Sequence, residues 1–79
     1  MKDNKIRDIS EFNLWVKIRM LEKGVSQRQL AEQMNTHHAR ISEAITGKPS
    51  GNKYIVPIIE KLGGNKEDFK EFLKETSVI

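Results

Sequence analysis

Seventy-nine residues make one domain with a small core, and with no cysteine the chain has neither disulfides nor thiolate metal ligands, so helix packing must hold it together, with dimerisation as an optional support. A net charge of +3 and a pI near 9.3 favour an anionic partner, although so mild an excess is common in proteins that never touch nucleic acid. The longest apolar run, Tyr54 to Ile59, is far short of a bilayer span and the charged start Met1-Lys2-Asp3-Asn4-Lys5 lacks a signal-peptide core, so a cytoplasmic protein with no membrane partner is expected.

Residues 1–9 read as an N-terminal arm and residues 10–79 as the folded domain. The first helix is expected from Ser10 or Glu11 to Lys23: Phe12, Val16 and Met20 recur at i, i+4 and i+8 as an inward stripe, and Gly24 closes it. Leu14, Ile18, Leu21 and Val25 form a second apolar row beside that stripe. Trp15 lies near the stripe and is either core or an exposed contact.

From Ser26 to Gly47 two short helical patterns flank a break of three or four residues, which is a helix-turn-helix signature. Ser26 and Gln29 have the spacing of a capping box, so the second helix should start at Gln27. Ala31 is small where the two helices must approach, and Leu30, Met34, Ile41 and Ile45 have the apolar spacing that fixes their angle. Asn35 stands where a left-handed backbone is needed. Thr36 or His37 precedes the third helix, threonine being the better cap. Gly47 closes that helix and Pro49 prevents its resumption.

Lys48 to Lys53 reads as a loop from its turn residues. A fourth helix should start between Ile55 and Pro57, where proline suits a first turn, and end at Leu62 before Gly63-Gly64, with Ile55, Ile58, Ile59 and Leu62 inward. Asn65 then caps a fifth helix with Glu67 and Asp68 in its first turn. Phe69, Phe72 and Leu73 give this helix one strong apolar face, either core or contact surface. The fold class expected is all-α, a five-helix bundle.

Residues 16 to 62 resemble the DNA-binding domain of the Xre/Cro family, which includes the lambda-type phage repressors. The matching residues are Ser26-Gln27 with Leu30-Ala31 four residues on, the pair Ile41-Ser42, and the closing Gly47-Lys48. The resemblance implies a compact five-helix, lambda-repressor-like domain that binds operator DNA as a dimer with its third helix in the major groove. The chain departs from the family pattern at three places. Asn35 stands where glycine is frequent. Met20 and Ile45 occupy the positions of an arginine–glutamate ion pair, for which an apolar contact can substitute. Ala39 and Glu43 occupy base-contacting positions that are usually polar donors.

On the third helix, a 100° step per residue turns Ile41, Ala44 and Ile45 inward and leaves Ala39 and Glu43 at the centre of the outer face, flanked by His38, Arg40 and Ser42. His38 or Arg40 can donate to guanine, Glu43 can accept from cytosine N4, and the Ala39 methyl can touch the thymine methyl. The family pattern puts base contacts at His38, Ala39 and Glu43, with His37 and Arg40 nearer the DNA backbone. Gln27, Arg28, Lys48, Ser50 and Lys53 complete the expected backbone-contacting set. Glu43 has a competing role, an i, i+3 pair with Arg40 on a solvated helix. Tyr54 can offer its hydroxyl to a phosphate or pack against the fourth helix. Phe69, Phe72, Leu73, Val78 and Ile79, apolar and distant in sequence from the reading head, are the expected dimer elements.

His37 and His38 are adjacent rather than at i, i+4, which argues against a metal site. No Gly-rich phosphate loop, activated nucleophile or paired carboxylate motif points to catalysis, a cofactor or a small-molecule ligand. The leading expectation is therefore a sequence-specific transcriptional regulator, a phage or prophage repressor of the Cro kind, acting as a homodimer on double-stranded operator DNA. A protein-interaction module is the alternative: an antitoxin of the same fold that sequesters a toxin and binds its own promoter. A helical bundle without DNA binding is the third.

Overall fold

A computed structural model describes residues 5–75. Within them the chain forms five α-helices and no strand: α1 (Ile9–Lys23), α2 (Gln27–Gln33), α3 (His38–Thr46), α4 (Ile55–Lys61) and α5 (Lys70–Glu75), with 3-10 segments at Pro49–Tyr54 and Lys66–Phe69. No helix among the described residues is long and apolar enough to cross a membrane.

Each helix of the first half starts where a side chain accepts a terminal N–H and stops where backbone N–H groups turn back onto its last carbonyls. Asp8 caps α1 by accepting the Glu11 N–H at 2.9 Å, which moves the start to Ile9, ahead of the expected Ser10 or Glu11. The helix ends at Gly24, whose left-handed φ of 68° lets the Val25 N–H donate back to the Met20 carbonyl at 3.0 Å. Ser26 and Gln29 form the full capping box on α2, with reciprocal hydrogen bonds of 3.1 and 2.9 Å. Asn35 has φ 58°, the left-handed turn expected there. The cap of α3 is His37 and not Thr36: the His37 Nδ1 accepts the Ala39 N–H at 3.1 Å. Thr36 instead donates its backbone N–H to the Ala31 carbonyl at 2.9 Å, which ties the turn to α2.

The core is one cluster fed by every helix. Phe12, Val16 and Met20 of α1 meet Leu30 and Ala31 of α2, Ile41, Ala44 and Ile45 of α3, and Ile55, Ile58, Ile59 and Leu62 from the fourth-helix region. Met20 and Ile45 are both buried in this cluster.

Phe69, Phe72 and Leu73 belong to this same core, at 1%, 1% and 6% exposure. The Phe72 ring stacks on Phe12 at 5.0 Å between centroids and Phe69 meets Phe12 edge-on at 6.0 Å. Their assignment to a dimer surface is thus corrected: each such side chain contributes roughly 1.5–3 kcal/mol by burial within its own subunit, and a partner cannot reach it. Val78 and Ile79, the other expected dimer elements, lie outside the described residues.

Trp15 packs half-buried against the cluster, its ring edge-on to Phe69 at 4.8 Å and beneath the Arg19 guanidinium at 5.7 Å. Arg19 continues past the ring and donates from Nε to the Leu62 carbonyl at 3.1 Å, placing a cation at the C-terminal end of α4 where the helix dipole favours it. The second apolar row of α1 behaves differently. Val25 packs half-buried on the core, but Leu14, Ile18 and Leu21 are exposed.

Two further elements differ from the sequence reading. Residues 49–54 are helical rather than loop, and the fifth helix begins as a 3-10 turn, with Asn65 accepting the Glu67 N–H at 3.0 Å, before becoming α-helical at Lys70. Of the arm, Ile6 donates its N–H to the Asp68 carbonyl at 2.7 Å and packs on the core.

Candidate nucleic-acid interface

Helix α3 is fixed from three directions. Its N-terminal end is held by the His37 cap and the turn to α2. Its inner face is buried through Ile41, Ala44 and Ile45. Near its C-terminal end the Asn13 side chain of α1 donates from Nδ2 to the Ile45 carbonyl at 2.8 Å.

The segment 49–54 lies directly on α3, and Gly51 is the reason it can. A Cβ built at Gly51 would fall 2.3 Å from the Ala44 nitrogen and 2.6 Å from the Glu43 carbonyl carbon, so only a residue without a side chain permits this approach. Its neighbour Ser50 is thereby brought to Glu43.

A polar cluster results. The Ser50 hydroxyl donates to Glu43 Oε1 at 2.9 Å, and Arg40 Nη1 donates to both carboxylate oxygens at 3.1 and 3.2 Å. These contacts lower the pKa of the Glu43 carboxyl. The Ser50 hydrogen bond acts most strongly, followed among the lowering influences by the Arg40 hydrogen bond, the charge of Arg40 and the charge of Lys48; desolvation opposes them. The i, i+3 pair with Arg40 is therefore present, and Glu43 is held by two partners rather than extended from the helix.

The other expected contact residues differ in exposure. His38 is exposed, with its ring stacked on His37 at 4.5 Å, and Ala39 is half-buried. Arg28 is exposed and Gln27 half-buried in the first turn of α2. Lys48 is exposed just before the 49–54 segment, where its backbone N–H donates to the Glu43 carbonyl at 2.9 Å. Lys53 is exposed, its ammonium 5.4 Å from the Tyr54 ring centre. Lys53 and Tyr54 line one open groove with Met34, Pro57 and Lys61. Tyr54 is half-buried and packs against the core.

Gly51 and Asn13 are the positioning residues that sequence reasoning missed. Gly51 looked like one more turn glycine in Ser50-Gly51-Asn52, and no helical period connects Ser50 to Glu43 across the break at Gly47. Asn13 sits between apolar neighbours on α1, so its spacing carried no sign of a link to α3. No group of three or more potential metal ligands occurs among the described residues.

The chain matches no family model, no curated protein and no solved structure.

Proposed function

We propose that this chain is a sequence-specific DNA-binding regulator of the helix-turn-helix, lambda-repressor-like kind, acting as a dimer on operator DNA with α3 in the major groove. The observation that carries this reading is the α2–α3 unit. A capped short helix, a left-handed turn at Asn35 and a second helix buried on one side through Ile41, Ala44 and Ile45 leave His38 and Arg40 of α3 exposed to a partner.

In this reading His38, Ala39 and Glu43 face base edges, while Gln27, Arg28, His37, Arg40, Lys48, Ser50 and Lys53 meet the phosphates. The Arg40–Glu43 pair has a specific consequence. A carboxylate entering a groove lined by phosphates is repelled, and the adjacent guanidinium offsets that charge. The Ser50 hydroxyl occupies Glu43 Oε1, and Oε2, which accepts from Arg40 at 3.2 Å, keeps lone-pair capacity to accept from a cytosine amino group in this reading.

Selection of bound sites from random duplexes tests the proposal. The expected product is a pair of half-sites about one helical turn, roughly 34 Å, apart. With roughly three to five phosphates engaged per subunit, raising salt from about 50 to 200 mM should weaken binding on the order of 10³- to 10⁵-fold. No enrichment over random sequence, or a salt-insensitive complex, would refute it.

A further inference from the structure

A helix that packs on one side normally carries polar residues on the other, and α1 does not follow this rule. Phe12, Val16 and Met20 fill its inner face, yet Leu14, Ile18 and Leu21 stand 60%, 45% and 84% exposed. At 100° per residue the three fall within about 60° of one another, on the opposite side of the helix.

Their spacing, four residues and then three, is that of successive d, a and d positions of a heptad. Leucine occupies both d positions and β-branched isoleucine the a position, the combination that favours two parallel strands. The edges of the row carry opposite charges. Lys17, immediately before Ile18, lies on one edge; Glu22, immediately after Leu21, lies on the other. Both are exposed. They are five residues apart, the offset at which a g residue of one strand meets an e residue of its neighbour.

We infer that α1 is a self-association face: two copies of this chain pair their α1 helices side by side and pointing the same way. Leu14, Ile18 and Leu21 form the seam, and Lys17 of each chain faces the partner subunit's Glu22. Charge selects the direction. A two-fold axis across the helices would set each edge against its own copy, lysine against lysine. An axis along the helices sets the lysine edge against the glutamate edge.

The seam is short, for reasons visible at both ends. One heptad before Ile18 stands Glu11, a carboxylate that accepts the Arg7 N–H at 2.6 Å. One heptad after it, beyond the left-handed Gly24, Val25 is turned onto its own core. Two helical turns of contact make a weak dimer, micromolar or above, well below the size of a stable interface. The inference deepens the dimeric reading proposed above, whose biological purpose it shares, and supplies the surface that the buried Phe69, Phe72 and Leu73 cannot.

Sedimentation equilibrium of the full chain without DNA, over a micromolar to millimolar series, should show a reversible monomer–dimer equilibrium. Leu21→Glu, at so exposed a position, should leave the helical circular dichroism unchanged and abolish the dimer. Lys17→Glu and Glu22→Lys should each weaken it roughly tenfold, and the double exchange should restore it. The chain has no native cysteine, so Leu14→Cys, Ile18→Cys and Leu21→Cys report direction: parallel helices cross-link to their own counterparts at all three positions, antiparallel helices only at the one nearest the axis. A monomer at every concentration, a dimer that survives Leu21→Glu, or cross-linking at a single position overturns the inference. Operator binding is read separately by salt titration: a dimer that binds no DNA overturns the DNA reading alone, and a monomer that binds DNA overturns this inference alone.

Discussion

The Ser50 hydroxyl and the Glu43 carboxylate, on either side of the break that ends α3, are joined by a hydrogen bond of 2.9 Å. The link fastens the 49–54 segment to the helix whose outer side would meet DNA, and it fixes the carboxylate that has two possible roles there. Its consequences are measurable in the free protein.

Ser50→Ala should raise the Glu43 pKa toward the ordinary carboxylate value, because the largest lowering influence is removed while Arg40 and Lys48 remain. A pH titration of the Glu43 side-chain carboxyl by NMR reads this directly. The same lowered pKa gives a sign to acid stability. The contribution of ionised Glu43 is fully present above its unfolded-state pKa and is lost as pH falls through the lower folded value. Glu43→Gln should therefore flatten part of the acid limb of the stability profile; an identical limb would show that the cluster is not coupled to folding.

Gly51→Ala places a methyl group against the backbone of Ala44 and Glu43, where no flexible side chain can yield. Overpacking of this kind costs on the order of 1–3 kcal/mol. A lower thermal midpoint together with loss of the lowered Glu43 pKa is expected, since Ser50 is displaced with its neighbour. Thermal melts that superimpose on those of the parent chain would contradict the close approach.

His37→Ala removes the acceptor for the Ala39 N–H and should cost about 1 kcal/mol, whereas His37→Asp replaces the ring-nitrogen acceptor with a carboxylate oxygen that also favours the positive end of the helix dipole. Chemical denaturation of the two variants should rank Asp above Ala. The reverse order would mean that the stacked His37–His38 rings, and not the cap, hold the start of α3.

Within the DNA-binding reading, specificity is expected at His38, Ala39 and Glu43 and nonspecific affinity in the lysines. Glu43→Gln should raise nonspecific affinity and change the preference at one operator position, by roughly 1–3 kcal/mol of discrimination. Lys53→Ala should weaken all sequences alike. Unchanged base preferences for Glu43→Gln in a site selection would confine Glu43 to positioning Arg40.

Features carried by local chemistry were legible in the sequence. The Ser26–Gln29 box, the left-handed Asn35, the glycine closures at Gly24 and Gly47 and the inward stripe of α1 each follow from a few adjacent residues. What escaped depends on contacts across the chain. Thr36 has the better intrinsic cap, but its backbone is engaged by Ala31, and the capping position falls to His37. The Phe69-Phe72-Leu73 stripe reads equally well as core or as interface until Phe12 is found against it. The second row of α1 is as apolar as the inward stripe, and periodicity alone did not tell that Leu14, Ile18 and Leu21 stay exposed while Val25 packs on the core.

Trp15 is the sole tryptophan of the chain and is enclosed by Phe69 on one side and Arg19 on another. Its indole therefore samples the docking of the C-terminal aromatic segment and the end of α4 onto the first helix. The chain thus carries its own optical probe: its emission should report whether this seam is closed, while the histidines and basic residues ascribed to DNA contact contribute no comparable fluorescence. Departure of the C-terminal segment would be visible without a label, even if α2 and α3 remained helical.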